Sequence, residues 1–280
     1  MRFFMMIIFA ISAVFAGQNA KLPEIYSTKM SDLEIHIISL AKSAPPMEKL
    51  IPNNNDDKKF IAKMAKKLPQ NNQNIMLLRH KNFIALIDTG FPHTAQTLQA
   101  QLKELNLKPS DITHLIITHA HFDHIGGILY EGKNQFSNAT MLIDKNEYDF
   151  WINSDNDSTK SALLAFKDKM TFFGDDNLLN KSLGLGENSD LEIATIPAYG
   201  HTAGHTMIKI ARGEQKLVFI ADLIHAFDIQ MARPNIAIQY DSNPSEAIKA
   251  RINFLDSLKG DSKTQIIGAH LPFTKPRVLK

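Results

Sequence analysis

The chain contains no cysteine. That excludes disulfide staples, thiolate nucleophiles and thiolate metal sites, so any metal held here must sit on imidazole and carboxylate. There is one tryptophan, and neither sign of charge dominates: 31 Lys and Arg stand against 29 Asp and Glu, a formal net charge of +2. So even a balance argues against nucleic acid or an anionic membrane surface as a partner. Long apolar runs are also missing beyond the start. After Met1-Arg2, residues 3–16 carry no charge and end in Val14-Phe15-Ala16 before Gly17. A basic start, an apolar stretch of secretory length and small residues at a cleavage point predict a signal peptide over residues 1–16, too short to span a membrane comfortably. The expectation is a periplasmic or secreted protein with no stable membrane insertion after cleavage. Residues 17–280 suffice for one substantial core, so a single domain is expected.

Hydrophobic periodicity gives the rest of the organisation. Residues 33–40 alternate as a strand, and 75–78 with 83–87 read as a hairpin ending in Asp88-Thr89-Gly90. The polar, Asn-rich stretch 52–74 reads as linker or lid material around a short surface helix at 60–65. Helices are expected over 94–107 and from 145, and residues 161–173 carry apolar side chains on one helical face. Residues 175–190 read as loop. Strands are expected at 112–118, 140–143, 191–198, 206–211, 216–221 and 265–269, and Asn243-Pro244-Ser245-Glu246 is a capped helix start. Strands interleaved with helices in both halves predict an α/β fold of sheet layers covered by helices.

Against this background one cluster stands out. His119-Ala120-His121-Phe122-Asp123-His124 places four metal-type side chains within six residues, directly after the strand at 112–118 and before Gly126-Gly127. Three more predicted strands end in the same chemistry: 191–198 leads to Gly200-His201-Thr202-Ala203-Gly204-His205, 216–221 to Asp222, and 265–269 to His270. Strand ends along one edge of a layered fold meet in space, and rigid strands hold ligands to the tolerance a catalytic metal needs.

These residues, in this order and with Ile87-Asp88-Thr89-Gly90 upstream, resemble the metallo-β-lactamase superfamily. The resemblance covers essentially all of residues 17–280 and implies an αββα sandwich with metals at one edge. It implies two divalent metal ions, zinc foremost: His119, His121 and His201 on the first, Asp123, His124 and His270 on the second, and Asp222 bridging both. Asp123 and Asp222 are the residues it puts forward for catalysis. Two cations sharing a water stabilise hydroxide near neutral pH, which suits attack on a carbonyl or phosphoryl centre. A narrower likeness, through Gly126-Gly127-Ile128-Leu129, Glu147-Tyr148-Asp149-Phe150-Trp151 and Gly268-Ala269-His270-Leu271-Pro272-Phe273, is to the methyl-parathion-hydrolase-like branch, whose members act on organophosphate triesters, lactones or other esters. The chain departs from the pattern in several places, among them the stop at Lys280 soon after Pro272-Phe273. Ala221 stands for the usual Gly before the bridging Asp, Thr274 for a common Pro, and Leu223-Ile224 follow Asp222 where related lactonases carry a Tyr shortly afterwards.

Around the ligands, Asp88 and His205 are expected as supports, and His225 as a support or a substrate contact. Phe122 and Trp151 read either as core packing or as supports or walls of a pocket beside the metals. His36, His80, His93 and His114 show no ligand spacing. The expected function is hydrolysis of a small ester-type substrate: a carboxyl ester, lactone or phosphotriester. A β-lactamase or glyoxalase-type thioester hydrolase is the alternative enzyme, and a periplasmic metal-binding protein the alternative outside enzymology. No nucleic-acid partner is expected; a homodimer is left open.

Overall fold

The computed structural model describes residues 24–174, 178–186 and 188–279; the signal peptide expected over residues 1–16 lies outside them. A seven-stranded sheet runs in the order Ile25–Met30, Leu33–Ser43, Asn71–His80, Phe83–Ile87, His114–Ile116, Thr140–Ile143, Met170–Phe172. It is antiparallel as far as Phe83–Ile87 and parallel beyond it. A five-stranded sheet runs Glu192–Pro197, Thr206–Arg212, Gln215–Phe219, Thr264–Ile267, Arg277–Val278.

Period-two alternation explains how the layers stack. Phe83, Ala85 and Ile87 face the second sheet, where Ile193, Ile208, Ile210 and Phe219 meet them. Leu86, with Ile75 and Leu77 of the neighbouring strand, faces the other way onto Leu98 and Leu102 of helix Ala95–Glu104. On the far side of the second sheet, Val218, Ile220 and Ile266 take Phe254 of helix Pro244–Ser257. Each fully buried Leu or Ile contributes roughly 1.5–3 kcal/mol, so both faces of both sheets must be covered. The result is the αββα sandwich expected from the sequence.

Two expectations change, and a third segment, expected as loop, has no helix or strand among its described residues but is more buried than a surface loop. Residues 161–173 are not one helix. Asn156 caps a helix over Asp157–Leu164 by accepting from the Thr159 amide, and Met170–Phe172 then adds to the sheet edge as a parallel strand. In the Asn-rich stretch the helix is longer than expected, Asn55–Ala65, and Phe60, Ile61 and Met64 pack on Leu50, Ala226, Ile229 and Ile238. Its last four residues, Asn71 to Asn74, are no linker but the buried start of an interior strand. Finally, the segment expected as loop carries Leu179, Leu183 and Leu185 into the core between the sheets.

Two strand ends turn the chain toward the same edge through left-handed residues, Asp88 at φ 62° and Ala221 at φ 45°. Away from glycine that conformation costs about 1–2 kcal/mol. At Ala221, where the superfamily's usual residue is Gly, the methyl group is buried in the core between the sheets. Among the described residues no helix is long and apolar enough to cross a membrane.

Candidate metal centre

Four strand ends deliver the site. His114–Ile116 leads into His119 and His121, and the short helix Phe122–Ile125 puts Asp123 and His124 on its first turn. His201 follows Glu192–Pro197, Asp222 follows Gln215–Phe219, and His270 follows Thr264–Ile267. The seven side chains singled out by the sequence meet in two groups, His119, His121, His201, Asp222 and Asp123, His124, Asp222, His270, with the ligand atoms of each group within 4.8 Å of one another. In the first group, His119 Nε2 and His201 Nε2 each lie 3.1 Å from His121 Nδ1. They are 3.7 and 3.3 Å from Asp222 Oδ2. In the second, His124 Nε2 is 3.1 Å from Asp222 Oδ1, and His270 Nε2 is 3.1 Å from both Asp123 Oδ2 and Asp222 Oδ2. Asp222 belongs to both.

The donor set fits divalent cations. His201 Nδ1 donates to Asp241 Oδ1 at 3.0 Å, and His124 Nδ1 to Asp88 Oδ2 at 2.8 Å. An ionised carboxylate only accepts, so each ring spends its N–H outward and turns the Nε2 lone pair inward. Two buried atoms facing that space, His124 Nε2 and Asp222 Oδ1, have no hydrogen-bond partner among the described residues. Leaving such atoms buried and unpaired costs about 1–3 kcal/mol each, which a cation between them removes. Imidazole with carboxylate is a ligand set for zinc and its first-row neighbours.

The electrostatics agree. Burial disfavours charge on every ring, and it holds His119 well below the usual histidine range and His121 at about 3. Burial opposes charge on His270 as well, yet Asp222 and Asp123 outweigh it and lift its pKa to about 10. His124 is raised in the same way, by Asp222, Asp123 and Asp88. Asp222 stays well below the ordinary carboxylate range despite burial, held there by His124 and His270. The carboxylates thus create a strongly negative buried site that attracts positive charge.

The supporting residues include two that the sequence did not reveal. Asp88 accepts from the Thr118 amide and hydroxyl as well as from His124. His205 donates Nδ1–H to the Ala198 carbonyl and accepts the Asp222 amide on Nε2; burial keeps it neutral, with a pKa of about 3. Asp241 was not anticipated, and neither was Glu147 as a site residue. Glu147 is fully buried and fills all four acceptor positions of its carboxylate, from Ala120 N, Trp151 Nε1, Thr202 Oγ1 and Gly204 N, at 2.6–2.7 Å. It ties the 119–124 loop to the 200–205 loop. Gly204 is needed there because a Cβ would come within 2.5 Å of the Glu147 amide. Asp241→Asn is expected to weaken metal affinity by about 10- to 100-fold through misoriented His201. Competition against a chromogenic chelator measures this, and wild-type affinity would remove Asp241 from that role.

Above the clusters opens a pocket of about 330 Å³. His225 lines it, with Nε2 3.1 Å from Asp222 Oδ2 and its ring stacked 5.1 Å from that of His270. Phe122, 58 % exposed, and Phe91 form one wall, their rings 5.2 Å apart. Trp151 is not a wall. It packs edge-on to His121 at 5.7 Å and spends its N–H on Glu147. A tyrosine does reach the pocket, but from far along the chain: Tyr240, whose ring lies 5.8 Å from that of His225. None of the described lining residues is Lys or Arg.

A layered αββα sandwich with two His/carboxylate groups at one edge defines a metallo-hydrolase. The family model of the metallo-beta-lactamase superfamily matches residues 68–270, and the chain belongs to that superfamily of hydrolases. It is 38% identical over 68 residues to metallo-beta-lactamase domain-containing protein 1 of Xenopus laevis, an alignment covering 24% of this chain and 26% of that protein. With the N-acyl homoserine lactonase AttM of Azorhizobium caulinodans it shares 34% identity over 56 residues, 20% of this chain and 19% of the relative. The chain therefore spans only about a fifth to a quarter of these relatives' own length. Among solved structures, AidC, a dizinc quorum-quenching lactonase in complex with a product, N-hexanoyl-L-homoserine, superposes with a TM-score of 0.76 at 26% identity, covering 91% of this chain and 93% of that one.

Proposed function

We propose that the chain is a dinuclear metal-dependent hydrolase of small, neutral, ester-type substrates: carboxyl esters, lactones or phosphotriesters. The observation that carries this reading is Asp222, shared by two ligand groups on the floor of a pocket with no Lys or Arg among its described lining residues. His119, His121 and His201 would hold one cation, Asp123, His124 and His270 the other, and Asp222 both. Bound there, two divalent ions supply Lewis acidity toward a carbonyl or phosphoryl oxygen and lower the pKa of water. The chain's own contribution is orientation: Asp88, Asp241 and His205 aim the ligands, while Phe91, Phe122 and Tyr240 offer an apolar wall for the substrate's hydrocarbon part. With no Lys or Arg among the described lining residues to pair a carboxylate, the pocket favours neutral substrates over β-lactams. AidC and AttM, both named as lactonases, support the ester class. The motifs around Gly126-Gly127 and His270 support placement near the methyl-parathion-hydrolase-like branch, and export after cleavage near residue 16 completes the proposal.

The test is a panel of matched esters, lactones, phosphotriesters and β-lactams assayed with the zinc-loaded chain. Turnover of at least one neutral class is expected, with kcat/KM about tenfold or more above that of a carboxylate-bearing analogue, a difference of about 1.4 kcal/mol. Two bound metals with no turnover across the panel would overturn the enzyme reading in favour of a metal-binding protein.

A further inference from the structure

Strand Asn71–His80 is longer than its neighbour. Its pairing with Phe83–Ile87 ends at Met76, so residues 71–75 overhang that strand, while Leu33–Ser43 still pairs them on the other side. The overhang begins Asn71-Asn72-Gln73-Asn74, four amide side chains that are all at least nine-tenths buried. Amides are poor strand formers, and burying them costs free energy unless each finds a partner. Asn74 Oδ1 has none among the described residues. For packing alone, Leu or Val would serve better here, so the amides point to directed hydrogen bonds.

Those bonds converge on the site. Gln73 Nε2 donates to the carbonyl of Asp123 at 2.8 Å. Asn71 Nδ2 donates to the carbonyl of His225 at 2.7 Å. Asn74 Nδ2 donates to the carbonyls of Gly268 and Leu271 at 3.0 and 2.8 Å, and the Asn74 amide to that of Ala269 at 2.8 Å, so His270 is fastened on both sides. Asn72 accepts the Phe273 amide just beyond. The 268–273 segment follows a strand of the second sheet, so the overhang crosslinks the two sheets at the metal edge. Among the described residues, the side chains of residues 71–74 make no hydrogen bond to segments 118–121 or 198–205. Glu147 and Asp241 hold those segments instead.

We infer that residues 71–74 are a positioning element for one of the two ligand groups: they set Asp123 against His270, and weakening them releases the second metal while the first stays. The inference rests on the two-metal reading above. It gives the second metal a support of its own, beside Asp88, which accepts from both Thr118 and His124 and so serves both groups.

Two variants test it, Gln73→Met and Asn74→Leu, each close to the original in volume and lacking the amide donor. Zinc per chain is measured after equilibrium dialysis at fixed free zinc, with circular dichroism confirming the fold. The wild type is expected to hold two ions. Each variant is expected to hold one, with affinity for the other lowered about 10- to 100-fold, as for other residues that orient metal ligands. If Asn74→Leu does not fold, Gln73→Met still reads the Asp123 side alone. Variants that keep two ions at wild-type affinity, or lose both together, overturn the inference. A wild-type chain holding fewer than two ions overturns it together with the two-metal reading, a result distinct from disagreement in the variants only.

Discussion

Replacing Asp222 with alanine is expected to strip both metals from the chain and to lower kcat/KM for a neutral ester by about a thousandfold or more. The side chain is 3 % exposed and shared by both ligand groups. Its oxygens lie 3.1 Å from ring nitrogens of His124, His225 and His270, and 3.3 Å from His201. Without it, imidazoles from two loops and two strand ends converge on a space with no central carboxylate. Several kcal/mol of charge stabilisation then disappear from each metal position at once. The fold is expected to survive, because the bond to His205 Nε2 is donated by the main-chain amide of residue 222, which alanine keeps. Metal analysis and steady-state kinetics on one preparation read both effects. An alanine variant with two ions and full turnover would remove Asp222 from the shared position.

Glu147→Ala is expected to strike stability rather than chemistry. The carboxylate never reaches the pocket, yet it takes donors from Ala120, Trp151, Thr202 and Gly204. The Thr202 hydroxyl can rotate to another acceptor; the two amides and the indole N–H cannot. Three stranded buried donors at about 1–3 kcal/mol each approach the entire stability of a domain. A fall in Tm of roughly 10–20 °C follows for a chain of this size, or failure to accumulate as folded protein. Thermal unfolding followed by circular dichroism measures it, and a Tm within about 2 °C of wild type would contradict the assigned role.

The His/carboxylate cluster was legible because these side chains crowd a handful of strand ends, a density that chance loops do not reach, and their convergence follows from the strands ending at one edge. The layers were legible from periodicity, since both faces of each sheet carry apolar residues in alternation. What the sequence concealed depends on tertiary partners. Asp241 lies 40 positions from His201, and Glu147 lies 55 from Thr202; as isolated carboxylates they look like any others. Asn71 to Asn74 read as linker because hydropathy treats an amide as exposed, whereas a loop carbonyl that accepts its N–H lets it be buried. One signal was available: a strand at 33–40 needs a partner longer than 75–78, which pointed to pairing upstream of Ile75. For Trp151 the sequence left packing and a pocket wall both open; its N–H found an acceptor, Glu147, behind the ligand loop.

The central claim is a shared two-metal site that hydrolyses a neutral ester, and a reconstitution titration tests it most directly. Metal-free chain is titrated with zinc while bound metal and initial rate on a turned-over ester or lactone are recorded together. The expected result is no rate without metal and a rate that saturates at two equivalents per chain. Saturation at one equivalent, or undiminished turnover by the metal-free chain, would contradict it.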